Sequence, residues 1–183
     1  MKLELTHALD ERWAALPPVR AGRVPPGEGT PESYLLIERD DGERIRADLY
    51  LDRYAEDHIA TDAVAWGGWV AIGLGRGVYL LDVETRAVRT IRLPMYFQRF
   101  VASAAWLLAV SGAGITRLNP RGEVEWENAA VAVDGVIVDD VYDGVITGDA
   151  EWDPPGGWRP FRVELATGRS LPAGSPEVGE GGG

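Results

Sequence analysis

Seven carboxylates crowd one stretch of the chain: Asp134, Asp139, Asp140, Asp143, Asp149, Glu151 and Asp153. Hard oxygens at that density could gather around Ca²⁺ or Mg²⁺, with Asp149, Glu151 and Asp153 as the candidate metal ligands. Their spacing matches no D-x-D-x-D-G loop closed by a glutamate. A pair such as Asp149 with Glu151 could also act on a glycosidic bond, where the separation of the two carboxyl groups decides the chemistry. Two other readings compete. Asp139-Asp140 and Asp143-Gly144 suit the turns of a β-meander, and the whole run suits an acidic surface facing a partner.

The segment Trp152-Asp153-Pro154-Pro155-Gly156-Gly157-Trp158 is the most unusual in the chain. Prolines fix φ, glycines open left-handed backbone, and two tryptophans bracket them. These seven residues are the candidate binding site: a rigid loop presenting aromatics to a protein. The competing reading makes the rings a plug over one end of a sheet. Gly73-Leu74-Gly75-Arg76-Gly77 resembles a phosphate loop in composition only. A phosphate cradle should open a helix, whereas Val78-Tyr79-Leu80-Leu81 is strand sequence, so a hairpin turn is expected there. His58 stands beside Glu56 and Asp57 and could form a His-carboxylate pair. His7 falls in the predicted N-terminal helix. Ser111 sits in Ala-Val-Ser-Gly-Ala, without the G-x-S-x-G of a nucleophile elbow. No catalytic residue is assigned and no cofactor is expected.

Composition narrows the classes further. The chain of 183 residues is long enough for one cored domain. It has no cysteine, which removes disulfides and thiolate chemistry. A net charge of −11 argues against a broad nucleic-acid surface and against anionic lipid, and it permits a basic protein partner. The start has no apolar signal region and no run spans a bilayer, so a cytoplasmic protein is expected. Lys2 is the single lysine and every other cation is arginine, which reads as GC-rich coding bias. Trp66, Trp69 and Trp106 open apolar strands and are expected in the core.

The elements that must carry these residues repeat. Val78–Asp82 before Thr85-Arg86, Ile115–Asn119 before Arg121-Gly122, and Phe161–Leu165 before Thr167-Gly168 share one strand-and-turn pattern, with Leu35–Glu38 before Asp41-Gly42 as a weaker fourth. The steps are 37 to 45 residues, the mark of one supersecondary unit stacked on itself. Residues 6–16 predict a helix, capped by Thr6 and striped by Leu9, Trp13 and Leu16. Residues 17–33 predict an irregular proline-rich connector, and residues 52–62 a polar loop. In the third copy a long loop is expected over residues 148–158. The organisation read is 1–33 helix and connector, 34–172 meander domain, and 173–183 disordered tail.

The strand-turn grammar of Tyr79-Leu80-Leu81-Asp82-Val83-Glu84-Thr85 resembles propeller-repeat proteins of the WD40 and quinoprotein-like kind, over roughly residues 34–172. That resemblance implies four-stranded antiparallel blades of about 40 residues, and so an all-β, small or incomplete propeller-like domain. Asp134-Gly135-Val136 and the Trp152–Trp158 segment also resemble an uncharacterised bacterial family, which implies no activity. With three to four blades, the sheet edges call for cover by the N-terminal segment or by another chain. The expected function is non-catalytic protein binding or an adaptor role, including an immunity-type inhibitor of a basic toxin. The alternatives are a hydrolase using the acidic cluster on carbohydrate or phosphate substrates, and a structural subunit of a β oligomer.

Overall fold

The computed structural model describes residues 1–25, 29–51 and 60–172. Among these, the chain forms four small sheets. The first combines β1 (Lys2–Thr6), β2 (Pro18–Gly22), β3 (Ser33–Glu38) and β4 (Arg44–Tyr50) in the order β1-β3-β4-β2, with the short helix α1 (Glu11–Ala14) between β1 and β2. The second is the meander β5 (Thr61–Trp66), β6 (Trp69–Leu74), β7 (Gly77–Asp82) and β8 (Val88–Arg92). The third is β9 (Phe97–Ala102), β10 (Leu107–Ser111), β11 (Ile115–Leu118) and β12 (Val124–Asn128). The fourth has three strands, β13 (Val136–Tyr142), β14 (Val145–Glu151) and β15 (Trp158–Glu164), plus a bridge from Val163 to Ser170. The architecture is all-β and propeller-like, as the repeat implied.

Side-chain alternation explains the stacking. On β6, Val70, Ile72 and Leu74 meet Leu35, Ile37 and Leu49 of the first sheet, while Ala71 points to the other side. On β10, Leu107 and Ala109 face the second sheet and Leu108 and Val110 face the fourth. Each middle sheet is therefore apolar on both faces, which is why its strands read as continuous apolar runs. The three buried clusters join the first sheet to the second, the second to the third and the third to the fourth. Each fully buried aliphatic such as Ile72, Leu80 or Leu108 stabilises by roughly 1.5–3 kcal/mol.

Polar clasps reinforce the same joints. Arg39 donates to the carbonyl of Val83 at 3.3 Å, Arg89 to those of Arg121 and Gly122 at 3.2 and 3.0 Å, and Arg117 to that of Leu165 at 2.9 Å. In each case an arginine of one sheet holds a turn of the next. The indole N–H groups of Trp69 and Trp126 do likewise, donating to Pro120 and Leu165 carbonyls. A multidentate guanidinium suits this work better than an ammonium, so the arginine-rich composition has a structural use beyond coding bias.

Several sequence expectations need correction. The helix predicted over residues 6–16 shrinks to Glu11–Ala14, with Asp10 rather than Thr6 as N-cap, its carboxylate accepting from Trp13 N at 3.1 Å. Thr6 belongs to a strand over residues 2–6 that pairs with β3. The supposed connector contains β2, which lies parallel to β4, and Pro18 is tolerated because β2 is an edge strand. The N-terminal segment thus supplies both outer strands of the first sheet. In the second sheet the turn is only Gly75-Arg76, since Leu74 and Gly77 already pair. Trp66 is buried, but Trp69 and Trp106 are only half-buried. Thr61 and Asp62 belong to β5; residues 52–59 of the loop expected at 52–62, with His58, lie outside the described residues, as does the tail from residue 173.

Candidate functional site

A meander sends its connections alternately to its two ends. At one end of the stack lie tight turns, among them Asp41-Gly42, Gly67-Gly68, Ser103–Ala105, Arg121-Gly122 and Asp143-Gly144. At the other lie the connections 93–96 and 129–135 and the loop 152–157, together with the short turns 75–76 and 112–114. The candidate binding segment therefore sits on the loop-bearing end of the fourth sheet.

That loop is shorter than its sequence suggested. Gly148–Glu151 continue β14 and pair with Trp158–Phe161, leaving only Trp152–Gly157 between the strands. Trp152 N donates to Gly157 O at 3.0 Å, Gly157 N to Asp153 O at 3.0 Å, and Gly156 N to the Glu151 carboxylate at 2.6 Å. Gly156 has φ +100°, a left-handed conformation that a side chain would strain. Pro154 and Pro155 fill the tip. These bonds brace the backbone while both Trp152 and Trp158 remain 42% exposed. Trp158 stands opposite Glu151 in the ladder and lies against Gly135.

The acidic run is dispersed by the same strands. Tyr96 donates its hydroxyl hydrogen to Asp134, which ties that residue to the third sheet. Asp139 occupies a bulge in β13, and Asp140 pairs opposite Thr147, so neither is a turn residue as expected. Asp143 does form the β13–β14 turn, with φ +47°. It lies the full length of β14 from the loop, roughly 20 Å at strand rise. Asp149 and Glu151, two residues apart on β14, share the outward face; Asp149 stands between Ile137 and Pro160. Asp153 is an exposed loop residue. Among the described residues no three His, Cys, Asp or Glu side chains are gathered as metal ligands.

One electrostatic contrast was not visible in the sequence. Among the described residues, every ion pair falls between Met1 and Glu125. The stretch from residue 131 to 172 carries eight carboxylates (the seven of the run and Glu164) and three arginines, Arg159, Arg162 and Arg169, and none of the eight is in an ion pair. The outward face of the fourth sheet also exposes Ile137 and Tyr142, at 46% and 78%, beside the exposed Val133. Alternation along β13 could have flagged Ile137 and Tyr142; the bulge at Asp139 shifts the phase between them and hides it.

Comparisons with known proteins add little. No family model and no curated protein matches the sequence. Two solved structures of Citrobacter koseri AztD, one of them the apo form, are similar in shape, at 13% identity with TM-scores of 0.48 and 0.49. The matches cover 76% and 78% of this chain but only 40% and 42% of those chains, so it spans about two fifths of their length. No helix among the described residues is long and apolar enough to cross a membrane.

Proposed function

We propose that this chain is a non-catalytic, protein-binding domain whose partner carries a basic surface and docks on the loop-bearing end of the fourth sheet. The observation that carries this reading is the pairing of two half-exposed tryptophans, Trp152 in a braced loop and Trp158 at the start of β15 beside it, with carboxylates that are in no ion pair among the described residues. Preorganised backbone lowers the entropy lost on binding, and exposed tryptophan is a favoured interface anchor. Uncompensated acid steers a basic protein by long-range attraction. Inhibition of a basic toxin in the cytoplasm is the specific form that fits this charge.

The test compares the wild-type chain and Trp152→Ala, each immobilised, against extract of the source cells, followed by titration of whatever basic protein is retained. The expected result is a partner eluted by salt whose affinity falls at least thirtyfold in the variant, the about 2 kcal/mol of an interface anchor. The variant's denaturation midpoint should hardly move. A stability loss of roughly 3–5 kcal/mol, the cost of truncating a core tryptophan, would instead make Trp152 a structural plug and end this reading.

A further inference from the structure

A cleft lies between the first and second sheets, on the same loop-bearing end. Here β2 approaches β7 and β8. Arg23, Arg76 and Arg92 line the cleft with Tyr50, Leu51, Leu74, Tyr79 and Thr90, and no carboxylate lines it among the described residues.

Local register explains why these groups converge. Arg76 occupies the two-residue β6–β7 turn, and Arg92 stands directly opposite Gly77 across the β7–β8 ladder. Leu93 N donates to Arg76 O at 3.0 Å, which closes the end of the two strands around the turn. The ring of Tyr79 folds over Gly77, with its hydroxyl 3.0 Å from where a Cβ would stand, so glycine at 77 is what admits the ring. Arg76 is tethered through one nitrogen to the Pro94 carbonyl. Buried Tyr50 and Leu74 give the cleft an apolar wall.

Several of the chain's arginines meet carboxylates: Arg12 with Asp10, Arg39 with Asp41, Glu43 and Glu84, Arg46 with Asp48, Arg117 with Glu125. Arg76 and Arg92 have no carboxylate partner in the described structure of a protein with 29 acidic residues. Arg76 and Arg92 converge in a concavity with no carboxylate among its described lining, which suits negative charge supplied from outside. Guanidinium groups suit phosphate oxygens in particular, and an apolar wall suits an organic substituent.

We infer that this cleft binds a small phosphate monoester, its phosphate between Arg76 and Arg92 and its organic part against Tyr50 and Leu74. This site is separate from the protein-binding surface on the fourth sheet. Calorimetric titration of the full chain with phenyl phosphate and with inorganic phosphate, at ionic strength held constant with KCl, tests it. The expected outcome is saturable binding at a Kd of about 1 mM or tighter, with phenyl phosphate the tighter of the two. Arg92→Gln, which breaks no described hydrogen bond, should weaken it at least tenfold. Arg76→Gln should do the same, and Trp152→Ala should leave it intact. Absence of saturable heat, or equal affinity in the wild-type chain and the Arg92→Gln variant, would overturn the inference.

Discussion

The first and fourth sheets each have one neighbour, and each must dispose of a face that the middle sheets bury. The first solves this internally. The α1 segment lies over it: Arg46 donates to the carbonyl of Ala14 at 3.0 Å, and Arg44 stacks over Trp13 with its guanidinium carbon 5.6 Å from the ring centroid. Beneath, Arg46 and Asp48 form a two-pronged ion pair at 2.7 and 3.0 Å, with Asp48 only 4% exposed. The fourth sheet has no such cover among the described residues and shows Ile137, Tyr142 and Trp158 to solvent. An end sheet can thus be closed by its own chain or left as a surface, and this molecule does one at each end.

The contrast would break most visibly at Asp48. Replacing one member of a largely buried pair strands the other charge. Asp48→Ala should therefore cost about 3 kcal/mol, the lower end for a buried pair because Arg46 keeps some exposure. Urea denaturation measures it; a change below about 1 kcal/mol would mean that the cover contributes no more than a surface ion pair.

A second substitution asks whether the fourth sheet is as firmly built on its inner side as the first. A Cβ at Gly148 would stand 1.9 Å from the Ile137 carbonyl oxygen and 2.9 Å from the Phe161 ring. Gly148→Ala should destabilise by about 1–3 kcal/mol through overpacking. An unchanged denaturation midpoint would show that the fourth sheet is loosely held on both faces, and would remove the contrast with its exposed side.

The smallest effect concerns charge. Asp10 is held below the ordinary carboxylate range by the Arg12 guanidinium and then by Trp13 N–H, Asp82 by the backbone N–H groups of Thr85 and Glu84, and Glu123 by Asn119 and then Arg121. All three belong to the ion-paired part of the chain. A carboxylate whose pKa falls on folding stabilises the fold above its unfolded value, 3.8 for Asp82, and that stability is lost as pH drops through the lowered folded value. Denaturation midpoints should therefore decline from about pH 5 downward, and Asp82→Asn should flatten that decline. A slope identical in wild type and variant would show that the Thr85 and Glu84 bonds add nothing.

What could be read in advance, and what could not, follows from the range of the forces involved. The hairpins β3–β4, β6–β7 and β10–β11 were legible because alternation and turn residues are local. Leu9, Trp13 and Leu16 mimic a helical stripe longer than α1, while β1 and β2 were not legible because their pairings, with β3 and in parallel with β4, are remote in sequence. Gly148–Glu151 has little strand propensity of its own; β13 and β15 on either side impose its conformation. The Trp152–Trp158 segment announced itself by composition. The arginine cleft did not, since Tyr50 comes from one sheet and Arg76 and Arg92 from another.

Because the roof over the first sheet is woven from the chain's own beginning, the stack has a direction. A repeat duplicated ahead of β1 would meet a face already occupied by α1 and by the Arg46–Asp48 pair. One added beyond β15 would meet a sheet left open among the described residues, with Arg162 at the position from which, one repeat earlier, Arg117 grips the next turn. Lengthening of this architecture by duplication is therefore one-sided, and a genomic search for longer versions should find their extra repeats after the fourth sheet.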